Sequence, residues 1–331
     1  MSRIAVLGAG AWGTALTLSL ARRGGHQLRL WSHSSVQAEE LNERRDNLRY
    51  LPGFALPADI LITSDLKTAA SDVDILLCVT PSQHLRDTIS QIAPLLTANQ
   101  VVISASKGIE EGSYLRMSQV IASITDIPCA VLSGPSFAQE VAAGSPTAVV
   151  AAAHDPDLAQ MIQREFSSPA LRVYTNDDVA GVELGGALKN VIALAAGAVN
   201  GLNLGYNSAA ALITRGIAEM TRLAVACGGR PQTLAGLSGI GDLVLTCTGA
   251  LSRNRSVGIE LGRGRKLDDI LSGMGGKVAE GVRSTSAALG LAARYGVEMP
   301  ITEQVDAILH HNKRPSDAIR ELMGRPGRDE H

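Results

Sequence analysis

Arg3-Ile4-Ala5-Val6-Leu7-Gly8-Ala9-Gly10-Ala11-Trp12-Gly13, followed by Thr14-Ala15-Leu16-Thr17-Leu18-Ser19-Leu20-Ala21-Arg22-Arg23, is the stretch that decides how this chain folds. Residues 3–7 are an apolar run with strand character, and residues 14–23 carry apolar side chains at helical spacing. Strand, glycine turn and helix in that order turn a bare G-x-G-x-x-G into a dinucleotide-binding fingerprint. Gly8 permits the tight turn, Gly10 lets the backbone approach a pyrophosphate, and Gly13 lets the helix pack close to the strand. Free amides at the helix start, with the positive end of its dipole, are suited to holding a diphosphate.

Working outward, the length of 331 residues predicts about two domains. Hydrophobic residues make up 45% and charged ones 19%, enough for a substantial core. Only 3% are aromatic, so that core must be built from Ala, Leu, Ile and Val with close backbone approach. A net charge of −2 argues against an electrostatic nucleic-acid footprint. Cys78, Cys129, Cys227 and Cys247 lie far apart with no C-x-x-C, which points away from disulfides or a zinc site and toward a reducing compartment. The histidines show no ligand spacing, so no metal is expected. The first expected strand begins at residue 3 and leaves no room for a signal peptide. The Ala-rich segment 187–199 is interrupted by Lys189 and Asn190, so no membrane insertion is expected.

Up to about residue 176, short apolar runs alternate with amphipathic ones. The runs predict strands at 3–8, 28–31, 59–63, 74–80, 100–105, 129–133, 147–153 and 171–175. Helical patterns stand between many of them, including 83–96, 114–124 and 157–166. Such alternation means βαβ units and a largely parallel sheet, with the order and direction of the last strands left open. After Asn176-Asp177-Asp178 the strand signals stop. Residues 178–201, 207–227, 231–245, 252–262, 278–295, 300–311 and 314–323 read as helices, and 262–276 as a glycine-rich loop holding a short helix. The expected fold is α/β: a Rossmann-like, doubly wound, dinucleotide-binding domain over 1–177, then an all-helical substrate-binding domain over 178–331.

The second strand bears on the choice of nicotinamide cofactor. NAD-selective sheets place an Asp or Glu near its end to grip the ribose 2′-hydroxyl. Here Leu28-Arg29-Leu30-Trp31 runs into Ser32-His33-Ser34, with no carboxylate until Glu39 and Glu40. A 2′-phosphate would meet no repulsion, and His33, Ser32 or Ser34 could donate to it. The alternative is that His33 is an ordinary loop residue.

Three places combine residues suited to chemistry. Lys107 follows the apolar run Val101-Val102-Ile103-Ser104, and carboxyl ends of strands border the ligand crevice; alone, it reads equally as a loop lysine. In Glu183-Leu184-Gly185-Gly186-Ala187-Leu188-Lys189-Asn190-Val191, Lys189 is a cation in an otherwise apolar helix, and burial would lower its pKa toward acid–base use. A snorkelling surface lysine is the alternative. Gly241-Asp242-Leu243-Val244-Leu245-Thr246 places Asp242 ahead of an apolar run, where it could also be a helix-entry residue. Ser252-Arg253-Asn254-Arg255 then opens a helix whose amides and guanidinium suit a phosphate.

Taken in order, these pieces resemble the bacterial-type glycerol-3-phosphate dehydrogenases over most of the chain. The matching motifs are residues 8–16, Ser106-Lys107-Gly108, Ser133-Gly134-Pro135-Ser136-Phe137-Ala138-Gln139-Glu140, residues 184–191, 241–248 and 252–255, and Glu280-Gly281. The resemblance implies reversible reduction of dihydroxyacetone phosphate to sn-glycerol 3-phosphate with NADPH or NADH, feeding phospholipid biosynthesis. It implies Lys189 as proton donor and acceptor, with Lys107, Asn190, Asp242 and Thr246 around the reacting carbons. Gly134, Ser136, Ser252, Arg253 and Asn254 would contact substrate. Gly8, Gly10, Ala11, Trp12, Gly13, His33, Lys107, Ala138, Arg253, Val278 and Glu280 would contact cofactor. Position 11 is Ala where Ser is common, which loses a side-chain hydrogen bond but keeps the amide; position 136 is Ser where Thr is common, which keeps the hydroxyl. A cytoplasmic homodimer is expected. Two rivals are a β-hydroxyacid or 6-phosphogluconate-type dehydrogenase, also two-domain and lysine-based, and a cofactor-binding sensor without catalysis.

Overall fold

The computed structural model describes residues 1–274, 279–327 and 329. Its strands, in chain order, are β1 (Ser2–Leu7), β2 (His26–Trp31), β3 (Asp46–Asn47), β4 (Leu51–Ala55), β5 (Leu61–Thr63), β6 (Ile75–Cys78), β7 (Val101–Ser104), β8 (Cys129–Ser133), β9 (Thr147–Ala152) and β10 (Leu171–Asn176). Eight of them form one sheet in the order β10-β9-β8-β7-β6-β1-β2-β5. Every neighbouring pair is parallel except β8 with β9, so β9 and β10 run against the rest. All eight expected strands are present.

Alternation along the central strands explains why the sheet is covered on both faces. Ile4 and Val6 of β1, with Ile75 and Leu77 of β6, join one core together with Leu16, Leu20 and Phe166. Ala5, Leu7, Leu76 and Cys78 point the other way, onto Leu85, Ile89 and Val120. Because β1 lies between β2 and β6, the chain changes direction across the sheet at β1. Open sheets form their ligand crevice at such a point, beyond the strands' carboxyl ends.

The hairpin of β3 and β4 was not foreseen. Asp46-Asn47 is too short to show a period, and Leu51-Pro52-Gly53-Phe54 reads as a turn, yet the two strands pair antiparallel with a register shift. Pro and Gly are tolerated because this small ribbon stands apart from the main sheet.

Beyond β10 every regular element among the described residues is a helix. Asp178 caps Val179–Gly201 by accepting from Gly181 N at 2.8 Å, and it also accepts from Arg230 N at 2.7 Å. This helix corrects one expectation. Lys189 and Asn190 do not interrupt its apolar character, and with a mean hydropathy of 1.4 it is long and apolar enough to cross a membrane. Most of that window, 89%, is buried inside the protein, as a helix that is apolar all round must be.

Against it packs Arg253–Gly262, and glycines set the distance. A Cβ on Gly197 would stand 2.1 Å from the Arg255 carbonyl, and one on Gly258 2.0 Å from the Leu194 carbonyl. Backbone meets backbone there, which offsets the ~1 kcal/mol helix cost of each glycine. The continuous helix expected at 231–245 is broken instead. Pro231–Leu234 is followed by a π-helical turn, Leu237–Gly241, and then by Asp242–Thr248. Such wide turns often mark functional sites, and this one delivers Asp242.

Candidate active site

One cleft of about 1430 Å³ runs from the glycine turn to the helical half. Gly8, Gly10, Ala11, Trp12, Trp31 and His33 line its near end, and Lys107, Ser136, Lys189, Asn190, Thr246 and Arg253 its far end. Gly8 sits at φ +130°, and a Cβ there would stand 2.8 Å from the Val79 carbonyl at the exit of β6. Gly13 lies off the wall; its missing Cβ would stand 1.8 Å from the Gly8 carbonyl, so it seals the turn against its own helix. The thirteen-residue helix Ala11–Arg23 therefore presents its N-terminus to the cleft, where Gly10 has open space.

At the end of β2 the three candidate donors separate. Ser32 is buried and its hydroxyl donates to Gln37 Oε1 at 2.8 Å, while Ser34 accepts from Gln37 N as the cap of Ser35–Arg44. Ser32 is thereby committed to holding the loop, which corrects the expectation that it could donate to a ribose phosphate, and neither serine is on the cleft wall. His33 is exposed on the cleft wall.

The far end is a cluster of buried charge. Lys189 Nζ donates to Asp242 Oδ1 at 2.5 Å and to Thr246 Oγ1 at 3.0 Å. Lys107 Nζ donates to the other carboxylate oxygen at 2.7 Å and to the Gly134 carbonyl at 3.0 Å. Asp242 is fully buried, beneath the two ammoniums rather than on the wall. Gly186 leaves room for this: a Cβ there would strike Ser133 Oγ and touch the stem of Lys107.

Burial pulls the Lys189 pKa down to about 8; the Asp242 charge opposes this and the Lys107 ammonium adds to it. An amine that titrates near neutrality serves as acid and base alike. Burial of a charged pair without further partners would be costly, and here each carboxylate oxygen meets an ammonium.

Around this cluster, Asn254 Nδ2 donates to Asn190 Oδ1 at 3.0 Å, and Gly281 N donates to Asn254 Oδ1 at 3.0 Å. Those two bonds tie together Val179–Gly201, Arg253–Gly262 and Glu280–Tyr295. Ser252 caps Arg253–Gly262, accepting from Arg255 N, and the exposed Arg253 projects on the cleft wall at that helix start. Glu280 lines the same wall; burial raises its carboxyl pKa against the pull of Arg253, Lys107 and Lys189. Ser136 donates to the Gly134 carbonyl at 2.9 Å, and Ala138 opens Ala138–Ala143 on the wall. Gly134 itself lies behind, at φ +131°. Val278, expected at the cofactor, lies outside the described residues.

Several contributors carried no sequence signal. Tyr50, Leu51, Pro52 and Phe54 of the unforeseen hairpin line the cleft. Glu183 pairs with Arg116 and accepts from Ser118 N and Oγ, both at 2.7 Å, so it ties the long helix to the sheet half. Gln37 and Asn47 reach the glycine turn itself.

A switch-point cleft that begins on a glycine turn and ends on a buried lysine–aspartate pair defines a two-part, nicotinamide-dependent dehydrogenase. The comparisons make this specific. Residues 3–159 match the NAD-dependent glycerol-3-phosphate dehydrogenase N-terminus and residues 178–320 the corresponding C-terminus. The chain belongs to the NAD-dependent glycerol-3-phosphate dehydrogenase family. It is 60% identical to the glycerol-3-phosphate dehydrogenase [NAD(P)+] of Acidobacterium capsulatum over all of both chains. It is 53% identical to that of Geobacter sulfurreducens, over 98% of this chain and 97% of the other. The crystal structure of glycerol-3-phosphate dehydrogenase from Coxiella burnetii superposes with a TM-score of 0.94 at 43% identity, covering 98% of this chain and 99% of that one.

Proposed function

We propose that this chain reduces dihydroxyacetone phosphate reversibly to sn-glycerol 3-phosphate, with Lys189 as the proton donor. The observation that carries this reading is the Lys189–Asp242–Lys107 cluster at the far end of the cleft that starts on the glycine turn. The residues present fit a nicotinamide dinucleotide: Gly10 leaves the wall open, the helix Ala11–Arg23 faces it with free amides, and Ser32-His33-Ser34 directly after β2 carries no carboxylate. When bound, that cofactor supplies or takes the hydride at the substrate C2. Lys189 Nζ gives its proton to the C2 oxygen as the ketone becomes an alcohol, and takes it back in the reverse direction. Asp242 keeps Lys189 in place, and Thr246 fixes the direction of its Nζ.

Arg253 and the amides at its helix start hold the phosphate, and Asn190 with Asn254 shapes the space between. Binding a phosphate remote from the carbonyl helps to orient the reacting carbon. Residues 1–177 form the dinucleotide-binding part and 178–331 the substrate-binding part. The product's chemistry suits glycerophospholipid synthesis. We place the protein in the cytoplasm, as a homodimer without membrane insertion; burial of the apolar helix Val179–Gly201 in the fold supports the last point.

The test is oxidation of NADPH by the purified protein on adding dihydroxyacetone phosphate, with 6-phosphogluconate and 3-hydroxyisobutyrate assayed in the reverse direction. Turnover confined to the first pair supports the reading, and turnover only with either of the others overturns it.

A further inference from the structure

We propose that Gln37 and Asn47 are positioning residues for diphosphate binding, which clamp the Ala9 carbonyl and so aim the Gly10 amide into the cleft. Gln37 Nε2 donates to Ala9 O at 2.7 Å, and Asn47 Nδ2 donates to the same oxygen at 3.0 Å. The two carboxamides come from different elements, the helix Ser35–Arg44 and β3, and both are buried, at 8% and 2% exposed. Each is also held at its other end. Gln37 Oε1 accepts from Ser32 Oγ at 2.8 Å, Asn47 Oδ1 accepts from Tyr50 N at 3.3 Å, and Asn47 Nδ2 further donates to Thr14 Oγ1 at 2.8 Å. Neither amide can turn over without losing partners on both sides.

The consequence follows from peptide geometry. The Ala9–Gly10 bond is trans, so its carbonyl and its N–H lie on opposite edges of one plane. Two donors gripping the carbonyl hold the N–H on the far edge. Gly10 stands on the cleft wall, and its N–H donates to no group among the described residues. Glycine at position 10 makes such a grip necessary. With nothing within 4 Å of a notional Cβ, local sterics do not stop this peptide from rotating. Turned over, it would present a carbonyl oxygen to the diphosphate and repel it. The residue that allows close approach is therefore steadied by two side chains that grip the opposite edge of its peptide, Asn47 from behind the cleft and Gln37 from its wall.

The proposal rests on the dinucleotide reading of the cleft, and the experiment separates the two. Dissociation constants of NADPH, NADH and ADP-ribose, which has the diphosphate but no nicotinamide, are measured by calorimetry. The proteins are wild type, Gln37→Leu, Asn47→Ser and the double variant. Either single change leaves one donor on Ala9 and should weaken all three ligands alike, by about threefold; the double change should weaken them by about thirtyfold, more than the product of the singles. KM for NADPH should rise in step while kcat at saturating NADPH moves far less, a split that general damage to the fold would not produce. A folded double variant that binds all three within twofold of wild type overturns the clamp. So does a loss confined to NADPH, which would place the effect at the ribose near His33. If the double variant does not fold, the singles decide: equal weakening of the three ligands supports the clamp, and unchanged affinity overturns it. Wild-type protein that binds none of the three overturns the dinucleotide reading, and the clamp with it.

Discussion

At the glycine-turn end, the cleft is built mostly from main chain: a left-handed Gly8, the open Gly10, the free start of Ala11–Arg23, and neutral amides behind them. At the helical end it is built from side-chain charge, with Lys189 and Lys107 sharing the fully buried Asp242. On the proposed reading the first end recognises a group of fixed shape and charge, which backbone amides can do whatever the neighbouring side chains are. The second, on the same reading, changes protonation state during turnover, which only titratable groups can do. Substitutions should therefore act differently at the two ends: on cofactor affinity at one, on the chemical step at the other.

The strongest way to break that contrast is Lys189→Met. Met keeps most of the buried stem's packing, so cofactor affinity should persist while kcat falls by about two to four orders of magnitude, the scale of lost acid–base catalysis. Stopped-flow reduction with cofactor titration alongside reads both; near-normal kcat would move the proton donor elsewhere, with Lys107 the next candidate. A smaller effect is expected at Arg253, on the cleft wall at the start of Arg253–Gly262. Arg253→Ala should lower kcat/KM for dihydroxyacetone phosphate by about tenfold to a hundredfold, since a charge-assisted hydrogen bond contributes roughly 1.5–3 kcal/mol. Unphosphorylated dihydroxyacetone should lose little, and equal losses on both substrates with cofactor binding intact would refute the phosphate contact.

Acid–base behaviour sharpens the comparison further. With the Lys189 pKa lowered to about 8, the ammonium that reduction needs is present below that pH and lost above it. The kcat/KM for reduction should fall about tenfold per pH unit above that point, whereas glycerol 3-phosphate oxidation should rise through it and level off. Nucleotide affinity at the amide-built end should stay flat over the same range; a parallel decline would mean that the two ends titrate together. The smallest effect concerns cofactor choice. His33→Asp puts a carboxylate on the exposed cleft wall after β2 and should weaken NADPH several-fold while sparing NADH, as binding titrations with the two cofactors would show. An equal change for both would place the ribose away from His33.

Where the sequence was legible, the signal was local. The eight strands of the main sheet, the glycine turn and most helices follow from periods of two and 3.6 and from turn residues. Lys189 stood out because a charge inside an apolar helix has few solutions other than a partner or an active site. The hairpin of β3 and β4 was illegible because two residues carry no period, and Pro52 with Gly53 hides the second strand. The break within 231–245 was illegible because its apolar spacing continues through the π-helical turn, which packs closely on the long helix: a Cβ on Gly185 would stand 2.3 Å from the Ser238 carbonyl. Ser32 and Ser34 looked like equals of His33, since only the fold shows that Gln37 engages both.

By itself, the sequence determined the two-part architecture, the place of the nucleotide turn and the residue types available for chemistry, all properties of neighbouring residues. Tertiary structure alone decided that Asp242 lies between Lys189 and Lys107, 53 and 135 residues away in the chain, and that Gln37 and Asn47 meet on one carbonyl of the glycine turn. It also decided the protonation behaviour of Lys189. A pKa depends on how much water is removed and which charges remain within a few ångströms, and those are settled by packing between elements rather than by any pattern along one of them.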